Sequence, residues 1–160
     1  MTQIVAIDPG TRESAWAMMI GRHVQCAGKE PNEEVLQSII DGRLTGSELI
    51  IEQVASYGMP VGAEVFATVH WSGRFDQAWR DAQGQHAKVR LITRNEVKMA
   101  LCYRTSKVND GVIRQRLIDL YGGNDVAVGK KKTPGPLYGI VGDQWAAVAL
   151  GLVAQGCIES

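Results

Sequence analysis

The sequence predicts an α/β fold: a mixed five-stranded sheet, an antiparallel meander followed by parallel strands, flanked by helices. Three observations predict it. Three short apolar runs open the chain, the second and third joined by a tight turn, the mark of a meander. Beyond them, apolar runs alternate with segments whose apolar residues recur at helical spacing, which places helices on the faces of a sheet. The chain then closes on "GDQWAAVALGLVAQG" (142–156), a helix apolar almost all round except near its start.

The elements follow in order. "QIVAI" (3–7), "AWAMMI" (15–20) and "HVQCAG" (23–28) are β-type runs, the second and third joined through Gly21-Arg22. "PNEEVLQSIIDG" (31–42) sets Val35, Leu36, Ile39 and Ile40 at helical spacing behind a proline and an acidic first turn. "ELIIEQV" (48–54) is the fourth strand. A helix runs from about Gly62 to Asp81 with Val65, Phe66, Val69, Phe75 and Trp79, and "KVRLI" (88–92) is the fifth strand. Helices follow near 94–103 and 109–121, and glycine-rich "GGNDVAVGKKKTPGPLYG" (122–139) reads as a long surface loop.

Length and composition set bounds on function. The 160 residues suit a single domain spanning 1–160, with a 45% hydrophobic and 21% charged composition. No apolar run nears the roughly 20 residues that span a bilayer, and the N-terminus carries no signal pattern. Cys26, Cys102 and Cys157 are widely spaced without a CxxC, as expected of reduced thiols. Together these point to the cytoplasm and to no membrane partner. Net charge is zero, yet residues 1–73 hold 4 Lys+Arg against 9 Asp+Glu, and residues 74–132 hold 13 against 6. That asymmetry suits a positive face on a neutral body, although a solvated face with an accidental imbalance has the same composition.

Three carboxylates stand where apolar elements end or begin: Asp8 before Pro9-Gly10, Glu52 at the end of the fourth strand, Asp143 at the start of the last helix. Strands one and four, if neighbours about 5 Å apart, project Asp8 and Glu52 from one end of the sheet. Crowded carboxylates repel one another and raise each other's pKa. A hard divalent cation relieves the conflict through the oxygen ligands that Mg²⁺ prefers. Such sites serve phosphoryl transfer, often with two metals about 3.5–4 Å apart. Each residue also has an ordinary reading: Asp143 as a helix N-cap, Glu52 as a solvated strand end, Asp8 as an Asx turn. No HxxxH spacing supports a histidine metal site.

"IVAIDPGTRESAW" (4–16) followed by "LIIEQV" (49–54) and "GDQWAAVALGL" (142–152) resembles the RuvC-type Holliday junction resolvases of the RNase H-like nuclease superfamily. "EVKMALCYRTSKVNDGVIRQRLIDLYGG" (96–123) is similar to that family's lysine-bearing helix and the helix after it. "SYGMPVGAEVF", "GRFDQAW" and "GPLYG" look like its small phage-encoded branch. The resemblance implies an RNase H-like sheet and a magnesium- or manganese-dependent endonuclease. Asp8, Glu52 and Asp143 would be the catalytic metal ligands, and Lys98 a catalytic or phosphate-contacting lysine. Its implied partner is branched DNA, the four-way junction. DNA contacts would come from Arg74, Lys98, Arg104, Lys107, Arg114 and the triplet Lys130, Lys131, Lys132; the triplet reads equally as a solvated loop tip. Arg114 and Arg116, two apart on a helix, cannot share a face.

The chain departs from the family pattern at three places. Ala146 stands where the family has a second acidic residue, leaving Asp110 or Glu13 as substitute ligands. Ala55 stands where cellular members carry a base-wedging aromatic, leaving Tyr57 or Phe66 for that task. The 122–139 insert is also longer than in cellular relatives. Two matched cuts in a nearly symmetric junction call for a homodimer, with His70, Trp71 and Phe75 of helix 62–81 as candidate contacts; the ordinary alternative is that they are core, the better reading for Phe75. Competing expectations are a junction-binding protein without catalysis, the same chemistry on flaps, forks or RNA, and a sugar-kinase-type ATPase suggested by "DPGT". The ATPase needs a second lobe that 160 residues do not supply.

Overall fold

Strand β1 (Gln3–Asp8) lies at the centre of a five-stranded sheet in the computed structural model, which describes residues 1–159. On one side it pairs antiparallel with β2 (Glu13–Ile20), which pairs antiparallel with β3 (His23–Pro31); on the other it pairs parallel with β4 (Glu48–Gln53), and β4 with β5 (Val89–Thr93). The strand order is β3-β2-β1-β4-β5, the mixed sheet expected from the sequence.

Alternation along the central strands sorts side chains between two cores. Val5, Ile7, Leu49 and Ile51 point to one face, where helices α1 (Asn32–Ile40) and α2 (Ala63–Gln83) cover them. Ile4, Ala6 and Ile50 point to the other. There they meet α3 (Arg94–Cys102), α4 (Asp110–Leu120) and the last helix, whose residues from Trp145 to Leu152 are mostly buried. Gly151 lets this helix lie close on the sheet: a Cβ there would stand 2.5 Å from the Met19 sulfur and 3.5 Å from the Ala6 Cβ. No described helix is long and apolar enough to cross a membrane, and all three cysteines are free.

One expectation is corrected. Residues 122–139 are not an open loop. They form helix α5 (Asn124–Ala127) and a hairpin of β6 (Gly129–Lys130) and β7 (Thr133–Pro134), and the last helix, Gln144–Gln155, is therefore α6. The segment is anchored by fully buried Ala127 and Leu137. Its glycines serve close contact: a Cβ on Gly135 would stand 2.2 Å from the Val126 carbonyl oxygen. Phe75 is core, the reading favoured for it over a surface contact. It is fully buried with Trp79 under the sheet, because α2 turns positions 68, 75 and 79 inward. Trp71 is half-buried against Phe75, and His70 is exposed.

Candidate active site

The same alternation that sends Ile7 and Ile51 into one core sends the next residue of each strand to the opposite face. Ile7 pairs with Ile51 in parallel register, so Asp8 and Glu52 stand side by side at the carboxyl ends of β1 and β4, facing α6. Their carboxyl groups are close enough to raise the pKa of Asp8. The turn behind Asp8 is pinned by a buried polar network. Gly10 N–H donates to Ser14 Oγ at 3.2 Å, Ser14 Oγ donates to Asn32 Oδ1 at 2.5 Å, and Asn32 Nδ2 donates to the Gly10 carbonyl at 2.9 Å. Ser14 and Asn32 are each 1% exposed, so the network costs little desolvation only because every member is paired. Sequence reading missed it; Ser and Asn at separated positions give no local signal.

A cavity of about 310 Å³ opens at this end of the sheet, bordered by Asp8, Glu52, Arg94, Asp110, Arg114, Asp143, Trp145 and Ala146 among others. Asp143 precedes α6 without capping it; its carboxylate instead accepts a hydrogen bond from Lys29 Nζ at 2.6 Å. Lys29, Ala15 and Asp8 occupy one row across β3, β2 and β1, which brings the lysine to the cavity rim. Arg94, the first residue of α3, approaches Glu52 Oε1 at 3.6 Å and forms an ion pair with Asp110. Arg114 stacks its guanidinium 5.0 Å from the centre of the buried Trp145 ring.

Electrostatics follow from this crowding. Burial, then the hydrogen bond and charge of Glu52, then the charge of Asp143 push the Asp8 carboxyl up to about 8, with Arg94 opposing. Lys29 is raised by its hydrogen bond to Asp143. The donor set is hard oxygen, and the Asp8–Glu52 pair carries like charges that a dication would relieve, so these residues fit Mg²⁺ or Mn²⁺. They are not drawn together as a closed cage. Among the described residues no three Asp, Glu, His or Cys side chains gather at metal-binding spacing, and Lys29 and Arg94 each stand against a carboxylate.

Most of the other predicted residues lie apart from the cavity lining. Lys98, one turn beyond Arg94 on α3, is half-buried and does not border it. Arg74 is on α2, on the opposite face of the sheet, stacked on Trp71 at 4.2 Å. Exposed Arg104 donates to the Ser106 carbonyl, and Lys107 is exposed with φ 59° in the α3–α4 turn. Lys130 to Lys132 are exposed, with Lys131 and Lys132 at the hairpin tip. Tyr57 is 53% exposed, and its hydroxyl accepts the Asn95 N–H at 3.2 Å, which fixes the ring beside the start of α3. Glu13 does not border the cavity, whereas Asp110 does. Arg116 turns away to the Leu101 carbonyl, as its spacing from Arg114 requires.

No protein-family model matches the chain, and no curated protein matches it by sequence. Solved structures do. The chain is similar to Thermus thermophilus RuvC at 16% identity, TM-score 0.63, over 99% of this chain and 98% of that one. It is also similar to T. thermophilus RuvC in complex with a Holliday junction substrate, at 14% identity, TM-score 0.64, over 96% and 92%. This likeness establishes a RuvC-like, RNase H-like fold.

Proposed function

We propose that this chain is a structure-selective endonuclease of the RuvC type that nicks branched DNA, the four-way junction in particular. The observation that carries the proposal is the side-by-side pair Asp8 and Glu52, with Asp143 on the same cavity, at the carboxyl ends of β1 and β4 in a RuvC-like fold. The phage-like motifs of the sequence and a cytoplasmic working place are part of this reading.

Asp8 and Glu52 would hold the divalent cation, and Asp143 would join them by exchanging its bond to Lys29. A divalent cation held there supplies Lewis-acid charge that makes water a better nucleophile and eases departure of the 3′-oxygen. The chain's own groups do the remainder. Asp8 gives up the proton that the metal-free site keeps on it. Arg114, held over Trp145 on the cavity wall, and Lys29, once released at the rim, offer positive charge to the backbone phosphate. Water adds to phosphorus, the P–O3′ bond breaks, and the water's proton ends on the leaving oxygen, giving 5′-phosphate and 3′-hydroxyl ends. Exposed Arg104, Lys107 and Lys130 to Lys132 serve as phosphate contacts away from the chemistry. Lys98 and Arg74, which do not border the cavity, are assigned at most to such outer contacts.

The test is cleavage of a synthetic four-way junction, beside linear duplex and flap controls, with and without Mg²⁺. Wild type should nick the junction only with the cation. Asp8→Asn should lose cleavage by at least about a thousandfold while junction affinity stays within about threefold. Full nuclease activity in that variant refutes the assignment, and a wild type that binds junctions yet never cuts them favours the non-catalytic reading.

A further inference from the structure

Four carboxylates border the cavity, and the chain supplies part of their counter-charge itself. The Arg94 guanidinium bridges two of them: Nη1 stands 3.6 Å from Glu52 Oε1, and Nη2 pairs with Asp110 Oδ1. A guanidinium is always charged, and its planar fork can engage two carboxylates at once. On the other side Lys29 Nζ holds Asp143. Beyond Asp143, the α6 wall offers Ala146 and Ala149, which have no donor atom. A second dication beside the Asp8–Glu52 pair would therefore need the outer oxygen of Glu52 and the carboxylate of Asp110, the groups Arg94 already engages, with no help from α6. Charge agrees: Asp8, Glu52, Asp110 and Asp143, against Arg94, Arg114 and Lys29, leave one negative charge when all are ionised. One dication makes the site mildly positive; two would crowd like charge around a guanidinium with nothing to balance it.

We infer that this site takes one divalent cation per chain, and that the Arg94 guanidinium stands in the second cation position. The inference deepens the nuclease reading and rests on it. Arg94, a residue that motif likeness passes over in favour of Lys98, then provides a fixed charge where a two-metal enzyme would place an ion.

Titration of Mn²⁺ into metal-free protein, with free Mn²⁺ counted by its electron paramagnetic resonance signal, tests this without relying on activity. Ions bound by the wild type but missing from Asp8→Asn belong to this site. The expected counts are one in wild type, two in Arg94→Gln, and one in Arg94→Lys, which keeps the charge. Arg94→Ala carries the same expectation as Arg94→Gln, should the latter fail to fold by circular dichroism. Two ions in wild type, or one ion in a folded chain lacking the Arg94 charge, overturns the inference and leaves the nuclease reading standing. No ion in wild type at millimolar Mn²⁺ overturns the metal reading beneath it.

Discussion

Asp8 sits where β1 leaves the core, and the metal-free protein keeps it protonated at neutral pH because burial and Glu52 push its carboxyl up to about 8. In the unfolded chain the same group ionises near its ordinary value of 3.8. Between these pH values the folded state holds a proton that the unfolded state has released, so this contribution to stability is full below 3.8 and is lost as pH rises to about 8. Asp8→Asn cannot ionise and escapes the loss. In thermal melts without metal, the variant should therefore gain on wild type steadily from about pH 4 to 8 and hold its advantage above. A gap that ignores pH would show that Asp8 titrates as an ordinary surface carboxylate. Adding Mg²⁺ should raise the wild-type melting point and leave Asp8→Asn unmoved; ligand linkage is worth about 2.7 kcal/mol at a hundred times Kd. Asp8 and Glu52 were legible in the sequence because each ends an apolar run on a charge. Arg94 and Lys29 were not. They are 2 of 17 cations, and strand register is what brings these two to the cavity: Arg94 directly follows β5, and Lys29 shares a row with Asp8.

The hairpin β6–β7 shows at the level of elements why glycine and lysine content misleads when read as a loop. Gly129 takes φ 69° and Gly135 packs onto backbone carbonyls, while Leu137 is sunk in the core, so the segment is a braced platform for Lys130 to Lys132. A braced lysine loses less freedom on meeting a phosphate than one on a floppy tip. If all three lysines neutralise phosphates, the slope of log affinity against log salt should fall by up to about 2.7 when they become glutamine, at roughly 0.9 per contact. Cleavage rate at saturating junction should hold, since none of the three borders the cavity. An unchanged salt slope in the triple variant would return them to the role of a solvated tip. The regular elements were easier to read. The ends of α3 and α4 carry local signals, Thr93 and Glu96 forming a capping box and Asn109 accepting from Val112 N–H, so their boundaries fall within a residue or two of expectation.

Across the whole molecule the cavity and α2 lie on opposite faces of the sheet, and the two faces differ in how well they are covered. Beside β4 and β5, α2 leaves Phe66 64%, Val69 50% and Leu91 46% exposed, with Met59 at 69% in the preceding segment. Val69, Gly73, Val54 and Leu91 border a shallow depression there. Exposed apolar surface rimmed by polar residues is the kind of face at which proteins associate. If this chain makes paired nicks in a two-fold junction, as proposed, it needs two active sites on one body. A second copy of the chain is the occupant that suits both that reading and this surface. On this reading α2 is the dimer element through exposed Phe66 and Val69, while Phe75 is core. Helical periodicity gave both sets of positions and could not say which side the sheet would take, because α2 is apolar at 66 and 69 as well as at 75 and 79. Sedimentation of wild type at micromolar concentration should give a dimer. Val69→Glu with Phe66→Glu should weaken it by roughly a hundredfold or more, since a charge buried without a partner costs about 3–5 kcal/mol. The resulting monomer, folded by circular dichroism, should nick a junction on one strand at a time and lose the matched second cut. A wild type that sediments only as monomer, or a charged double variant that still cuts both strands in concert, would mean that the two incisions are not made by partner copies across this face.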